Sequence, residues 1–89
     1  MPIISMFYGI IIRMFNLDNQ KHHKPHIHAE YQGHDAVFSL EDAEVIEGNF
    51  PIKATRMVQA WIEIHKDELI ADWKLAISGE NIFKIRPLD

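Results

Sequence analysis

The segment KHHKPHIHAEY at residues 21–31 holds four of the six histidines of the chain within seven positions. Imidazole groups titrate near neutral pH, which suits proton transfer in catalysis, and they are also common metal ligands. On a β-strand, side chains two positions apart project to the same face, with Cα atoms roughly 6.6 to 6.8 Å apart. We therefore expect His26 and His28 to act together, because Pro25 favours the opening of an extended strand.

A metal site is one interpretation of this segment. His26 and His28 would share one metal ion, with Glu30, His22 or His23 completing a set of imidazole and carboxylate ligands. Such ligands suit zinc, nickel or iron, so a divalent metal such as zinc or nickel is the cofactor that this interpretation implies. An H-x-H pair does not identify a metal centre by itself. The chain is also too short and too helical in its second half for a cupin barrel.

Metal-free RNA cleavage is a second interpretation, with His26 and His28 as the catalytic acid and base. Cationic side chains would stabilise the negative charge that develops on the phosphorane. The candidates for this role, and for binding nucleic acid, are Arg13, Lys21 and Lys24. Residues 19–29 contain no acidic residue, so a locally basic patch can form although the net charge of the chain is −4. A third interpretation, solvated histidines without a role, stays open.

The excess of negative charge is confined to a short acidic segment. Basic and acidic residues balance in residues 1–40 and again in residues 51–89. The remaining acidic side chains are Glu41, Asp42, Glu44 and Glu47. A solvated hairpin is the simplest interpretation of this segment, although it could also attract a basic partner.

Length and composition predict one soluble domain over residues 1–89. A chain of 89 residues buries roughly two-thirds of its unfolded surface, which leaves no room for a second core. There are no cysteines, so disulfides and thiolate chemistry are absent, which fits a reducing cytoplasm. The opening MPIISMFYGIIIRMF has no basic n-region and is too short to span a bilayer. We therefore expect a cytoplasmic protein that does not enter a membrane.

The first half of the chain predicts an antiparallel β-meander of three to four strands. β-Branched and aromatic residues favour one strand over residues 7–15, followed by a loop of roughly ten residues. Residues 26–32 alternate between polar and apolar types, which predicts a half-buried strand whose His26, His28 and Glu30 face away from the core. The segments DAVFSL and VIEG continue the meander, with EDAE as the turn between them.

The second half predicts helices that cover the sheet. Pro51 suits a first helical position, and apolar residues recur at helical spacing up to residue 77. Asp67 and Glu68 could cap a second helix after a bend near His65, so one long helix and two shorter helices both remain open. Gly79 ends the helical region and an extended tail follows, which could form an edge strand. The fold class is therefore α+β.

Two groups of residues carry a resemblance to known proteins. The first is the P-H-x-H core of Pro25, His26 and His28, followed by Tyr31 and Gly33; the second is Trp61, His65 and Trp73 in the helical half. Together with EVIEGNFP and the opening segment, they resemble family 4160 of domains of unknown function, which comprises short bacterial proteins. The resemblance covers nearly the whole chain. Ile27, where members usually carry an aromatic residue, and the pair Asp42–Ala43 depart from the family pattern.

The resemblance implies a cellular context but no established activity. Genes of the family often lie beside a gene for another small protein, an arrangement that resembles toxin–antitoxin pairs. By that analogy the chain would be a toxin component with an antitoxin-like protein as partner and RNA as target. The alternatives are a non-enzymatic module that docks on the small partner protein, and a metal-binding protein. A homodimer is also compatible with so small a core, and whether the chain is an enzyme stays open.

Overall fold

The computed structural model of the chain describes residues 3–15 and 24–88. In these ranges, five β-strands precede two α-helices. The strands are Ile3–Phe7 (β1), Ile10–Arg13 (β2), His26–Tyr31 (β3), His34–Ser39 (β4) and Val45–Gly48 (β5). The helices are Ile52–Ile64 (α1) and Lys66–Ile77 (α2). The predicted α+β class is confirmed.

The prediction of a single strand over residues 7–15 is wrong, because the chain reverses at Tyr8 and Gly9. Both residues have positive φ angles, 50° and 80°, as a type I′ hairpin turn requires. β1 and β2 pair as antiparallel neighbours on either side of this turn. Tyrosine is uncommon at a turn position where Asn, Asp and Gly prevail, which is why the turn is difficult to recognise in the sequence. The described sheet therefore has five strands instead of three to four.

The strands form one antiparallel sheet in the order β1-β2-β3-β4-β5. β3 covers the residues that the polar–apolar alternation predicted, and β5 is the predicted VIEG strand. In the register of the sheet, His28 of β3 lies opposite Arg13 of β2 on one side and opposite Val37 of β4 on the other. The sheet thus brings Arg13 next to the histidine segment, although the two are well separated in sequence.

One face of the sheet forms the apolar core with the helices. Ile12 of β2, Ile27 of β3 and Phe38 of β4 are fully buried in one cluster with Trp61 of α1. The rings of Phe7 and Trp61 lie 5.4 Å apart within this cluster. Because side chains alternate along a strand, the intervening residues of the same strands lie on the opposite face. That opposite face carries Arg13, His28 and Glu30 of the predicted site residues.

Two helices are present rather than one, since the chain bends at His65 (φ −109°, ψ 23°) between α1 and α2. Asp67 and Glu68 lie in the first turn of α2, where carboxylates interact favourably with the helix dipole. α2 is followed by Gly79, whose φ of 74° allows a Schellman-type C-cap, as the glycine predicted. Neither of these two helices is long and apolar enough to cross a membrane.

The segment after α2, residues 80–88, runs without regular secondary structure along the side of the fold. The N–H of Ile85 donates a hydrogen bond to the carbonyl of Ile4 at 2.8 Å. The indole N–H of Trp61 donates to the carbonyl of Arg86, also at 2.8 Å. This segment, for which an edge strand was one possibility, is therefore irregular and is anchored to both β1 and α1.

The acidic segment at residues 41–47 comprises the end of the β4–β5 connection and the first residues of β5, and it is largely exposed, as the solvated-hairpin interpretation predicted. The N–H of Glu44 donates to Oδ1 of Asp42 at 3.0 Å. This hydrogen bond holds the pKa of the Asp42 carboxyl below its usual value, because it stabilises the charged form.

Candidate functional site

Three polar side chains lie on the sheet face opposite the core: Arg13 of β2, and His28 and Glu30 of β3. His28 and Glu30 are two positions apart on one strand and therefore share a face. Arg13 lies directly opposite His28 in the antiparallel register. Its Nη1 donates a hydrogen bond to Oε1 of Glu30 at 2.5 Å. We call these three residues the Arg13–His28–Glu30 cluster.

The cluster is partly open to solvent. The side chains of Arg13 and Glu30 are 25% and 44% exposed, and His28 is half-buried. The Nε of Arg13 is buried and has no hydrogen-bond partner within the part of the chain that the structure describes. A buried donor left without an acceptor costs about 1–3 kcal/mol. The Arg13 side chain as a whole is a quarter exposed, so only part of its guanidinium can be reached from solvent.

A shallow depression of about 310 Å³ adjoins the cluster at His28. Its other side is formed by Asp35 and Val37 of β4 and by Glu47 and Gly48 of β5. A Cβ atom added at Gly48 would lie 2.3 Å from the carbonyl oxygen of Asp35, so only glycine lets β5 approach β4 this closely. The depression depends on that approach, and its far wall is acidic.

His26 does not share the exposure of His28, and the prediction that it faces away from the core into solvent is wrong. Its side chain is 1% exposed. Its ring centroid lies 4.8 Å from that of Trp73 of α2 and 5.3 Å from that of His28. Nδ1 of His26 lies 2.8 Å from the carbonyl oxygen of Lys24, and because a carbonyl only accepts, Nδ1 must donate. His26 thus fills the junction between α2 and the end of the sheet.

The ring of Phe15 supports His28, although Phe15 is not among the predicted site residues. The two ring centroids are 4.6 Å apart in an edge-on arrangement, with an interplanar angle of 79°. Phe15 continues the alternation of β2 two positions after Arg13, so the period-two pattern could have placed it on this face. Its contact restricts the orientation of the imidazole.

The other predicted site residues are not joined to the cluster by the described contacts. Lys24 is exposed, and its backbone carbonyl rather than its ammonium group contacts His26. Lys21, His22 and His23 lie outside the described residues. Within residues 3–15 and 24–88, no group of three or more His, Asp or Glu side chains is arranged to hold a metal ion. The metal site that includes His22 and His23 stays a prediction.

Three residues of the helical half, which carry part of the family resemblance, have mainly structural contacts: Trp61, His65 and Trp73. Trp61 and Trp73 are buried in the core, as expected from their helical spacing. His65 lies at the bend between the helices, where its Nδ1 is 2.7 Å from Oε1 of Glu68. Its ring centroid is 5.7 Å from that of Trp61. These contacts position the bend and tie it to the buried face of α1.

Asp72 of α2 is a buried carboxyl group that is not among the predicted site residues. Oδ1 accepts a hydrogen bond from the N–H of Phe83 at 3.1 Å, whereas Oδ2 is buried without a partner among the described residues. Burial raises the pKa of Asp72, and the nearby carboxylate of Glu68 raises it further, although the hydrogen bond from Phe83 opposes this. Its role is to attach the C-terminal segment to α2.

Comparison with known proteins gives a family and nothing further. No curated protein and no solved structure matches the chain. Residues 9–74 match a family model described as a domain of unknown function (DUF4160). The matched region begins at the β1–β2 turn and extends into α2, and it includes the Arg13–His28–Glu30 cluster together with His26 and Trp73. The chain therefore belongs to family 4160 of domains of unknown function.

Proposed function

We propose that this chain is the RNA-cleaving component of a toxin–antitoxin pair and that the Arg13–His28–Glu30 cluster is its catalytic site. One observation carries the proposal: on one partly open face, a guanidinium group is hydrogen-bonded to a carboxylate and lies opposite an imidazole in the strand register. A proton donor, a proton acceptor and a fixed positive charge are the groups that RNA cleavage requires. The toxin–antitoxin context is an expectation from the family resemblance.

The reaction is an attack of a ribose 2′-hydroxyl on the adjacent phosphorus atom. Glu30 removes the proton of the 2′-hydroxyl as the O–P bond forms, and the bond from phosphorus to the 5′-oxygen breaks. His28, in its protonated form, transfers its proton to that leaving oxygen. Arg13 stabilises the additional negative charge on the phosphorane. The products are a 2′,3′-cyclic phosphate and a free 5′-hydroxyl group.

Glu30 replaces His26 as the proton acceptor in this scheme. The sequence favoured His26 and His28 as the acid–base pair, but His26 is buried against Trp73 and its Nδ1 is engaged with a backbone carbonyl. A catalytic group must reach the reacting atoms of the substrate. The half-exposed carboxylate of Glu30 is open to a ligand on the sheet face.

The test is an assay of RNA cleavage with tag-free protein. A 3′-labelled single-stranded RNA is incubated with the wild type and with His28→Gln, Glu30→Gln and Arg13→Lys. We expect each substitution to lower the cleavage rate by about 100-fold or more, because acid–base groups contribute on that scale. His34→Gln is the matched control, since His34 is an exposed histidine at the start of β4. Cleavage at the wild-type rate in both His28→Gln and Glu30→Gln would remove the cluster from the mechanism.

Induced expression in cells provides an independent readout of toxicity. The wild type should arrest growth, co-expression of the neighbouring small protein should relieve the arrest, and His28→Gln should be harmless at equal protein level. Growth arrest that persists in all three cluster variants would contradict a catalytic role of the cluster.

A second candidate function is a non-enzymatic module that docks on the small partner protein. Asp35 and Glu47 line the depression, and the acidic β4–β5 connection is exposed at the other end of the same two strands, so this side of the sheet suits a basic partner segment. Under this alternative, the double variant Glu41→Lys, Glu44→Lys should weaken the complex with the neighbouring gene product, while neither protein cleaves RNA. An unchanged affinity in that variant would count against the acidic docking surface.

A further inference from the structure

A second cavity lies on the helix side of the sheet, at the end of β3. It has a volume of about 300 Å³ and is lined by Tyr8, Tyr31, Pro51, Lys53, Ala54 and Met57. The β1–β2 turn contributes Tyr8, the end of β3 contributes Tyr31, and the start of α1 contributes the remaining residues. We call this cavity the two-tyrosine pocket. None of its residues belongs to the Arg13–His28–Glu30 cluster.

The stability of the fold does not explain why a tyrosine occupies position 8. The φ angle of Tyr8 is 50°, a left-handed conformation that is unfavourable for a residue with a large side chain. The residue is 63% exposed, so the turn does not gain a buried aromatic group in return. Asn, Asp or Gly would form the same turn with less strain. The strained turn holds an aromatic face at the mouth of the pocket.

Tyr31 provides a second, more firmly held ring. A Cβ atom built on Gly9 would lie 3.5 Å from Cε1 of Tyr31, so this ring lies over the glycine of the β1–β2 turn. Its centroid is 6.2 Å from that of Phe50 on the other side. The two tyrosines therefore belong to one pocket in which one ring is fixed by packing and the other is presented to solvent.

The positive charge and the aromatic rings of the pocket together favour an anionic ligand that carries a planar ring. Lys53 is exposed and is the charged residue among those that line the pocket. No acidic residue lies in the first turn of α1, where Lys53 is located. Aromatic side chains stack on unpaired nucleobases regardless of sequence, and nearby cationic side chains bind the connecting phosphates.

We propose that the two-tyrosine pocket binds an unstacked base of single-stranded RNA, with Lys53 at the neighbouring phosphate. The choice of RNA as ligand rests on the proposed function. Tyr31 directly follows Glu30 on β3, so the pocket and the catalytic cluster are adjacent along this strand although they lie on opposite faces. The pocket would hold the RNA strand beyond the cleaved bond and act through binding rather than catalysis.

The test measures binding separately from cleavage. A fluorescent RNA hexamer in which every 2′-hydroxyl is methylated has no nucleophile, so its anisotropy reports binding alone. We expect Tyr8→Asn to weaken binding by about five- to 100-fold at constant salt, because it removes one stacking ring. Tyr8→Phe should bind within about twofold of the wild type, since the aromatic face is retained. Lys53→Gln should weaken binding and make it less dependent on salt concentration.

Two controls separate a binding role from a structural one. Asparagine suits the turn better than tyrosine does, so Tyr8→Asn should keep or raise the midpoint of thermal unfolding while it weakens RNA binding. Phe83 is an aromatic residue that is 70% exposed and does not line the pocket, so Phe83→Ala should leave binding unchanged.

Each outcome decides for or against the pocket. Absence of hexamer binding to the wild type, or equal binding by the wild type and Tyr8→Asn, would overturn the proposal. If Tyr8→Asn altered only the sedimentation coefficient, the pocket would be a contact between copies of the chain and the proposal would also be overturned. Cleavage that persists with no dependence of binding on Tyr8 would reject the pocket alone. Tyr8-dependent binding without any cleavage would reject the catalytic cluster alone.

Discussion

His26 and His28 share one face of one strand, yet their surroundings differ in almost every respect. His26 is sealed against Trp73 and donates to a backbone carbonyl, whereas His28 lines an open depression beside Arg13. The difference arises because α2 reaches the end of the sheet at the first residue of β3 but not two residues further along. Spacing along a strand therefore decides which side chains share a face, and the neighbouring element decides which of them can meet a ligand.

The largest effect on stability is expected from His26→Ala. This substitution leaves a cavity beside Trp73 and removes the hydrogen bond to the carbonyl of Lys24, so the free energy of unfolding should fall by about 2–4 kcal/mol. Urea denaturation measures the loss, with His34→Ala as the exposed control that changes stability by less than about 0.5 kcal/mol. Equal stability of the two variants would mean that His26 is not a packing residue.

Gly48→Ala should cause the next largest loss of stability. Gly48 lies in the wall of the open depression. The added Cβ would meet the carbonyl of Asp35, and the φ angle of 88° is unfavourable for alanine, so a loss of about 2 kcal/mol or more is expected. Gly33→Ala separates the two causes, because Gly33 has a similar φ of 81° but open space around the added atom. Comparable losses in both variants would show that strain alone is responsible and that β5 can move away.

Asp72→Asn, on the helix-covered side of the fold, should raise the free energy of unfolding near neutral pH by about 1 kcal/mol. The substitution removes a buried charge, one oxygen of which has no partner among the described residues. The pKa of Asp72 is raised in the folded protein, so folding favours its protonated form. The stability that this provides is fully present below the pKa of Asp72 in the unfolded chain. It is lost as the pH rises through the pKa of Asp72 in the folded protein. The difference between the variant and the wild type should thus grow from acidic to neutral pH. Thermal unfolding at several pH values measures it, and a difference that shrinks with rising pH would contradict this prediction.

The smallest effect on stability is expected from Glu30→Gln on the open face. The Arg13–Glu30 ion pair is partly exposed, and such pairs contribute roughly 0–1 kcal/mol. The same variant should nevertheless lose RNA cleavage. Glu30 would then matter mainly for activity, whereas His26 matters mainly for stability. A loss of several kcal/mol in Glu30→Gln would instead make the cluster a structural ion pair.

The elements with strong local signals were predictable. The alternation of residues 26–31 placed β3, and the helical spacing and Gly79 placed the end of α2. The β1–β2 turn was missed because Tyr8 is not a residue that usually forms it. The pairing of His28 with Arg13 could not be read from the sequence, since the connection between β2 and β3 is too long to fix their register as a tight hairpin turn does.

The amino-acid sequence by itself determined the α+β class, the shared face of His28 and Glu30, and the set of side chains available for proton transfer. These follow from the period of each element and from residue type, which are local properties. Only the tertiary structure decided that Glu30 pairs with Arg13, 17 positions away, and that Trp73 covers His26. Solvent access and charge pairing depend on which distant residues come into contact, and that is settled when the sheet and the helices pack together.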